Sequence, residues 1–357
     1  MYCEISVEEA LKRTDVAYID LRSPDEFAQT SIPGALNIPL FDDDQRRELG
    51  VIYHTFGEEK ARRTALQLVS PKLPALVDEI ERAAGENIPL LYCWRGGLRS
   101  LSVYQIMHLA GAPVLRLKGG YRAYRRYVNR RLNDYRLNSK MLVLHGLTGV
   151  GKTAIIGELL RRGLPVLDLE GAVRHRGSVF GAVGLKPQRS QKDFDALLLG
   201  QLERFNGEPL IAVEGEGGRI GNVHLPPFLT QAMAEGHRLL ITAPLAERVR
   251  RIVEEYLPAE PSAIDLEQIR QAVHSLRRRL GAERTEKLYF LLDQGKFAAA
   301  AEILCLEYYD RMYGEARAEK EHYFAVIDST DVGEAMDQVS SLLQYYALPA
   351  EPLGSPT

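Results

Sequence analysis

The feature that most narrows what this chain can fold into is an eight-residue run, Gly146 to Thr153, reading G-L-T-G-V-G-K-T. It satisfies the pattern G-x-x-x-x-G-K-[ST] in full. The apolar stretch Met141 to His145 precedes it, and a helical stretch, Ala154 to Arg162, follows. Strand, glycine-rich turn and helix N-terminus in that order make a phosphate loop: glycines let the backbone curl, its amides converge on a polyphosphate, and the lysine neutralises it. Such a loop sits where a parallel strand hands over to a crossover helix, so this part of the chain must be α/β. Gly146, Thr148, Gly149, Val150, Gly151, Lys152 and Thr153 are the candidate diphosphate-binding residues. Thr153 is also placed to ligate Mg²⁺.

The surrounding pattern supports that class. Strands are expected at 164–169, 209–214 and 238–243. The third of these is followed, after Pro244, by a helical pattern running almost to Lys320. A last strand, His322 to Ile327, and a terminal helix, Val332 to Tyr346, precede the tail LPAEPLGSPT, whose proline content predicts disorder. Strand ends and adjoining loops supply candidate accessory groups around the phosphate site: Asp168, Glu170, Arg174, His175, Arg176, Glu214, Glu216 and Arg219.

The first 120 residues also alternate strand and helix. Val16 to Leu21, Ala35 to Leu40, Pro89 to Cys93 and Pro113 to Leu117 read as short strands. Ser23-Pro24 starts a helix, and Glu58 to Val69, Ala75 to Ala84 and Ser100 to Ala110 have helical spacing. The third strand breaks into C-W-R-G-G-L-R-S from Cys93. A loop wrapping from a strand into a helix aims several amides at one spot, which binds anions and favours a thiolate. Arg95 and Arg99 add fixed positive charge, so Cys93 is the candidate nucleophile.

Composition matters at three points. The chain has 357 residues, enough for two domains. Its three cysteines, Cys3, Cys93 and Cys305, are too far apart in sequence for a CxxC metal site or a disulfide framework. With no long apolar run and no signal-peptide pattern at the start, a reducing cytoplasm without membrane contact is expected. The net charge is only −3. It hides a basic stretch between Lys118 and Lys140 in which Tyr121, Tyr124 and Tyr127 interleave with Arg122, Arg125, Arg126, Arg130 and Arg131. Arginine for phosphates and tyrosine for stacking is a common combination for unpaired RNA. Tyr121, Arg122, Tyr124, Arg125, Arg126, Arg130 and Arg131 are therefore candidate RNA-binding residues. The expected division is a domain over 1–120, a basic helical connector over 121–140, a phosphate-loop domain with a helical insertion over 141–347, and a disordered tail over 348–357.

The D-x-R at Asp20 to Arg22, the E-F at Glu26-Phe27, I-P-G-A-x-N-I-P from Ile32 to Pro39 and the cysteine loop together resemble a rhodanese domain. Ser31 stands where that family often has histidine, and five residues separate Cys93 from Arg99 where many members have four. The longer spacing resembles the phosphatases and arsenate reductases of the same fold. The strings YCWRGGLRS, GGYRAYRRYV, GLTGVGKT, LEGAVRHRGSVFG, VEGEGGRIGNVHLP and EYYDRMY, in that order, resemble the bacterial tRNA 2-selenouridine synthase family. Arg311 follows the YYD where that family more often has proline.

The resemblance implies a rhodanese-like α/β domain followed by a phosphate-loop α/β domain with a helical C-terminal portion. It implies a tRNA substrate carrying a 5-substituted 2-thiouridine at the wobble position. Geranyl diphosphate would alkylate the sulfur, and selenium from selenophosphate would then replace the geranylthio group. Cys93 would carry selenium as an S-selanylcysteine, with Trp94, Arg95, Gly96, Gly97, Leu98 and Arg99 forming the selenophosphate loop. No tightly bound cofactor is implied beyond Mg²⁺ at the phosphate loop, and a selenophosphate supplier would be a transient partner. Two other classes remain open from the residues alone. One is a C-x5-R phosphatase or arsenate reductase coupled to a phosphate-loop kinase. The other is a nucleotide-gated sensor of sulfur or selenium that turns nothing over.

Overall fold

The computed structural model describes residues 4–215, 217–257, 263–312 and 323–347. The expected tail over 348–357, Glu216, Cys3, Tyr313 and the first residue of the expected last strand lie outside them. The chain divides into two units, Met1–Asp134 with Asp195–Leu197, and the remainder from Tyr135.

The first unit is built on five parallel strands. In chain order its elements are β1 (Glu4–Ile5), α1 (Val7–Ala10), β2 (Val16–Asp20), α2 (Pro24–Gln29), β3 (Leu36–Asn37), α3 (Asp43–Val69), α4 (Leu73–Ala84), β4 (Ile88–Tyr92), α5 (Leu98–Leu109), β5 (Leu115–Leu117) and α6 (Gly120–Asn133). The sheet order is β1-β5-β4-β2-β3. Parallel strands are covered on both faces and so read as apolar runs. In β4 four of the five residues, Pro89 to Tyr92, are buried. Their core includes Ile19, Leu21, Val77, Ile80, Leu91, Val103 and Met107.

Local signals set several boundaries. Ser23 caps α2 in a capping box with Glu26, and Pro24 takes the first turn, as expected. The acidic run Asp42–Asp44 is a helix start: Asp42 caps α3 and accepts from the Gln45 amide at 2.7 Å. That helix therefore begins fifteen residues earlier than the periodicity from Glu58 suggested, and it bends at Gly57, where φ is +83°. Strand β1 was not foreseen because two residues carry no periodicity; it pairs with β5 at the sheet edge.

The basic segment is helical, but it is not a connector. Tyr121, Tyr124, Val128 and Leu132 lie on one face of α6 and are buried, so the helix packs as the last element of the first unit. Arg122, Arg126 and Arg130, one turn apart, are on the exposed side.

The second unit is also a parallel sheet, in the order β12-β11-β6-β8-β7. Its elements are β6 (Lys140–His145), α7 (Lys152–Arg161), β7 (Val166–Leu167), α8 (Leu169–Val173), α9 (Gln191–Phe205), β8 (Leu210–Glu214), β9 (Arg219–Ile220), β10 (Val223–His224), α10 (Pro227–Glu235), β11 (His237–Thr242), α11 (Leu245–Tyr256), α12 (Ala263–Ser275), α13 (Arg277–Leu280), α14 (Ala282–Asp293), α15 (Phe297–Leu304), α16 (Asp310–Met312), β12 (Ala325–Asp328) and α17 (Val332–Ala347). A π-helical turn, Cys305–Tyr309, joins α15 to α16. Strand β6, central in the sheet, leads into the phosphate loop and α7, and α17 packs beside α7. Helices α12 to α15 and the π-helical turn form a separate apolar cluster with Phe180 and Val183.

Candidate functional site

The phosphate loop opens on a cleft of about 560 Å³. Its walls carry Gly146, Thr148, Gly149, Gly151, Lys152 and Thr153 from the loop, with Glu170, Arg176, Arg251 and Tyr256 around them. What aims the loop is held behind it. Arg248, 1% exposed at the start of α11, donates from Nε to the Thr148 carbonyl at 2.8 Å. Arg251, one turn on, and the Ser329 hydroxyl both donate to the Val150 carbonyl, at 3.1 and 2.6 Å. In a trans peptide the C=O and the following N–H point opposite ways. Pinning the carbonyls of residues 148 and 150 from behind therefore turns the amides of Gly149 and Gly151 toward the cleft. Gly149 must be glycine: φ is +83°, and a Cβ would stand 2.7 Å from the Arg248 carbonyl. Lys152 donates to the Gly146 carbonyl at 2.9 Å, folded over the loop.

Arg248 is held in turn by Asp310, both guanidinium nitrogens meeting the carboxylate at 3.0 and 2.6 Å. Asp310 opens α16, directly after the π-helical turn, so the phosphate loop is braced against the helical portion. Next to the cleft lies a narrow apolar crevice of about 50 Å³, lined by Phe297, Ala300, Ala301 and Leu304 of α15, with Phe180 and Tyr309. Thr148 and Tyr256 belong to both walls, so cleft and crevice adjoin.

The accessory residues divide. Glu170 is 7% exposed and accepts from the Thr153 hydroxyl at 3.0 Å. Two oxygen ligands beside a phosphate site fit Mg²⁺, which takes few protein ligands and completes its shell with water and phosphate. Arg176 reaches the cleft, ion-paired to Glu255 at 2.8 Å and 5.0 Å above the Tyr256 ring. The others stand elsewhere. Asp168 caps α8 through the Gly171 amide. Arg174 takes a left-handed backbone, φ 62°, and is not in the cleft wall. His175 and Glu214 are absent from that wall too, Glu214 being 1% exposed within the sheet. Arg219 is exposed and bonds within its own hairpin to the Gly221 carbonyl and Asn222. Glu216 lies outside the described residues. Sequence reasoning missed His145, Arg248, Arg251 and Tyr256, which are positioned by tertiary contact and belong to no local motif. Burial, with Arg238 and Lys152 nearby, lowers the His145 pKa to about 4.

In the first unit the cysteine loop obeys the same rule. The amides of Tyr121 and Arg122, at the start of α6, donate to the carbonyls of Cys93 and Trp94, each at 2.9 Å. Arg116 donates to the Gly96 carbonyl at 2.8 Å. The amides of Trp94, Arg95 and Gly97 are thereby turned the other way, toward the hollow of the loop. Gly120, φ +58°, allows the close approach: a Cβ there would lie 2.2 Å from the Cys93 carbonyl oxygen. Cys93 is 3% exposed, with its sulfur 3.3 Å from the Ser100 hydroxyl. Arg99 is held by Glu26, whereas Arg95 and Leu98 are exposed.

Beneath the loop lies a fully buried pair. Arg22 meets both oxygens of Asp20 and the Thr30 carbonyl, and its guanidinium lies 4.5 Å from the Tyr121 ring centre and 5.9 Å from that of Trp94. Asp20 and Arg22 thus support the loop floor through aromatic stacking. The tRNA-binding expectation for α6 needs correction here. Tyr121 and Tyr124 are 1% and 5% exposed, and a buried ring cannot stack on a base. Arg125 is ion-paired to Asp195, and Arg130 to Glu8. Arg122, Arg126, Arg130 and Arg131 remain at the surface.

Among the described residues, no helix is long and apolar enough to cross a membrane, and no group of three or more His, Cys, Asp or Glu is set to hold a metal.

Comparison with known proteins places both units. Residues 139–342 match the family model of the tRNA 2-selenouridine synthase AAA domain, and residues 6–127 match the rhodanese-like domain. A tRNA 2-selenouridine synthase of Cupriavidus necator is 36% identical over 333 residues, covering 86% of this chain and 89% of that one. That of Hydrogenovibrio crunogenus is 33% identical over 335 residues, covering 85% and 90%. That of Pseudomonas syringae pv. syringae is 33% identical over 343 residues, covering 87% and 91%.

Proposed function

Since the chain belongs to the tRNA 2-selenouridine synthase family, we propose that it exchanges sulfur for selenium at a wobble 5-substituted 2-thiouridine of tRNA in two stages, S-geranylation and then substitution by selenium. The observation that carries the two-stage reading is the junction of a phosphate cleft with an apolar crevice through Thr148 and Tyr256. A ligand spanning both has an anionic head and a hydrocarbon tail, which describes geranyl diphosphate better than a nucleotide.

In the first stage the uridine sulfur forms a bond to the terminal allylic carbon, and the carbon–oxygen bond to diphosphate breaks. Diphosphate leaves with the electron pair. The amides of Gly149 and Gly151 and the Lys152 ammonium stabilise the charge that develops on it. Glu170 and Thr153 would hold Mg²⁺ against the same phosphates. Alkylation turns a poor leaving group into a good one and makes the ring carbon electrophilic. In the second stage a selenium nucleophile adds at that carbon and geranylthiol departs. The cysteine loop, headed by Cys93 and with aligned amides and exposed Arg95, suits the anionic selenophosphate: its selenium is the nucleophile that adds, and water then cleaves the Se–P bond and releases phosphate.

Titration calorimetry with geranyl diphosphate, inorganic diphosphate and ATP, alongside mass spectrometry of tRNA nucleosides, tests this. Geranyl diphosphate should bind most tightly, and Lys152→Ala should weaken both diphosphates by about tenfold or more, as expected for a charge-assisted contact. Geranylation should fall with it. Preferred binding of ATP, with product formation dependent on it, would overturn the reading.

A further inference from the structure

With Tyr121 and Tyr124 buried, those two rings offer no seat for the base. A groove of about 340 Å³ runs beside the cysteine loop. Arg46 and Tyr53 line it from the first half of α3, Glu58 and Arg62 from the second half, and Leu98 and Arg99 from the cysteine loop itself. The bend at Gly57 divides those two halves of α3. Tyr53 and Leu98, 52% and 55% exposed, put open apolar surface into the same groove. The Tyr53 ring stands edge-on to His54. Arg46, Arg62 and Arg99 share the wall with Glu58; Arg62 is ion-paired to Glu58 at 2.6 Å and Arg46 and Arg99 to Glu26, so a phosphate arriving here exchanges with those carboxylates. The hollow next to it carries Asp25, Glu26 and Asp43 against Arg46 and Arg47, a more acidic balance than that of the groove.

An exposed aromatic ring flanked by arginines, in a hollow of small-ligand size, matches how proteins hold one unpaired nucleotide. The geometry points to this groove as the seat of the tRNA nucleotide whose base is modified. The base lies on Tyr53 and Leu98, and its backbone phosphate meets Arg62 and Arg46. This assignment rests on the tRNA reading above. It sets the reacting base against the same loop that carries Cys93, five residues before Leu98.

The test uses the full-length protein and tRNA bearing wobble 2-thiouridine, with affinity measured across a salt series and KM and kcat for selenouridine formation. Tyr53→Ala should weaken tRNA binding and raise its KM about five- to hundredfold, the range of one base–aromatic stack. Tyr53→Phe, which keeps the ring, should stay close to wild type. Arg62→Glu should lower the salt slope by about 0.7 for the lost phosphate contact. Tyr345→Ala, at 71% more exposed than Tyr53 but in the second unit, should change nothing. Inorganic diphosphate affinity and melting temperature should hold in every variant.

Wild-type tRNA affinity in Tyr53→Ala and Arg62→Glu would overturn the assignment. So would a defect seen only when selenium comes from a protein donor and not from free selenophosphate, which would make the groove a protein-docking surface. If wild-type enzyme itself neither binds nor converts thiolated tRNA, the failure lies with the tRNA reading instead.

Discussion

At the residue scale, both candidate anion loops are set by side chains that grip their carbonyls: Arg248, Arg251 and Ser329 in one unit, Arg251 also lining the cleft, and Arg116 in the other, so that the amides are directed the opposite way. Preset dipoles need no reorganisation when the anion arrives. His145, at the end of β6, shows a different constraint. Burial, reinforced by Arg238 and Lys152, lowers its pKa from 6.5 to about 4. Between those values the folded protein keeps His145 neutral while the unfolded chain takes up a proton, so stability must fall as pH drops from 6.5 toward 4. His145→Asn cannot protonate. Urea midpoints measured at several pH values should show the wild type losing stability relative to the variant across that window, with a constant difference above it. Parallel curves throughout would mean that His145 is not held neutral.

At the element scale, α6 and α15 each carry two roles on two faces. The buried face of α6 closes the first unit, and its N-terminal amides support the cysteine loop; its outer face carries exposed arginines, Arg130 among them in an ion pair with Glu8. On α15, Phe297, Ala300, Ala301 and Leu304 recur at helical spacing and line the crevice. Two small side chains in an otherwise bulky stripe leave room that a packed helix would normally fill. Ala301→Trp should fill that room. Geranyl diphosphate affinity should then fall about tenfold or more, the size of a typical overpacking cost, while inorganic diphosphate keeps its wild-type affinity. Titration of both ligands distinguishes the outcomes: equal loss for the two would mean that the phosphate loop itself had shifted.

At the scale of the whole molecule, two parallel-sheet units each present one anion-binding loop at the C-terminal end of a central or near-central strand, β4 in one and β6 in the other. The proposed half-reactions then separate by unit. Cys93→Ala should abolish selenouridine while geranylthiouridine accumulates, whereas Lys152→Ala should lose both products, since geranylation comes first. Nucleoside mass spectrometry reads the ratio directly. Normal selenouridine in Cys93→Ala would remove the thiol from the reaction.

Much of this was legible in the sequence. A phosphate loop is contiguous: its glycines, lysine and threonine act through local backbone geometry, so eight residues in order suffice to recognise it. The cysteine loop is likewise continuous, and both sheets announced themselves because doubly covered parallel strands read as apolar runs. What tertiary structure alone decided is which side chains face which way and what meets across distance. The tyrosines of α6 alternate with arginines in sequence, yet a helix with one buried face sends Tyr121 and Tyr124 inward and Arg122, Arg126 and Arg130 outward. Arg248 and Asp310 lie sixty-two positions apart and meet only because α11 and the helical portion pack together. Tyr53 and Leu98 share a groove only after α3 bends at Gly57 and the cysteine loop folds beside it. Local pattern is set by neighbours along the chain, whereas exposure and long-range pairing follow from which faces the fold must bury.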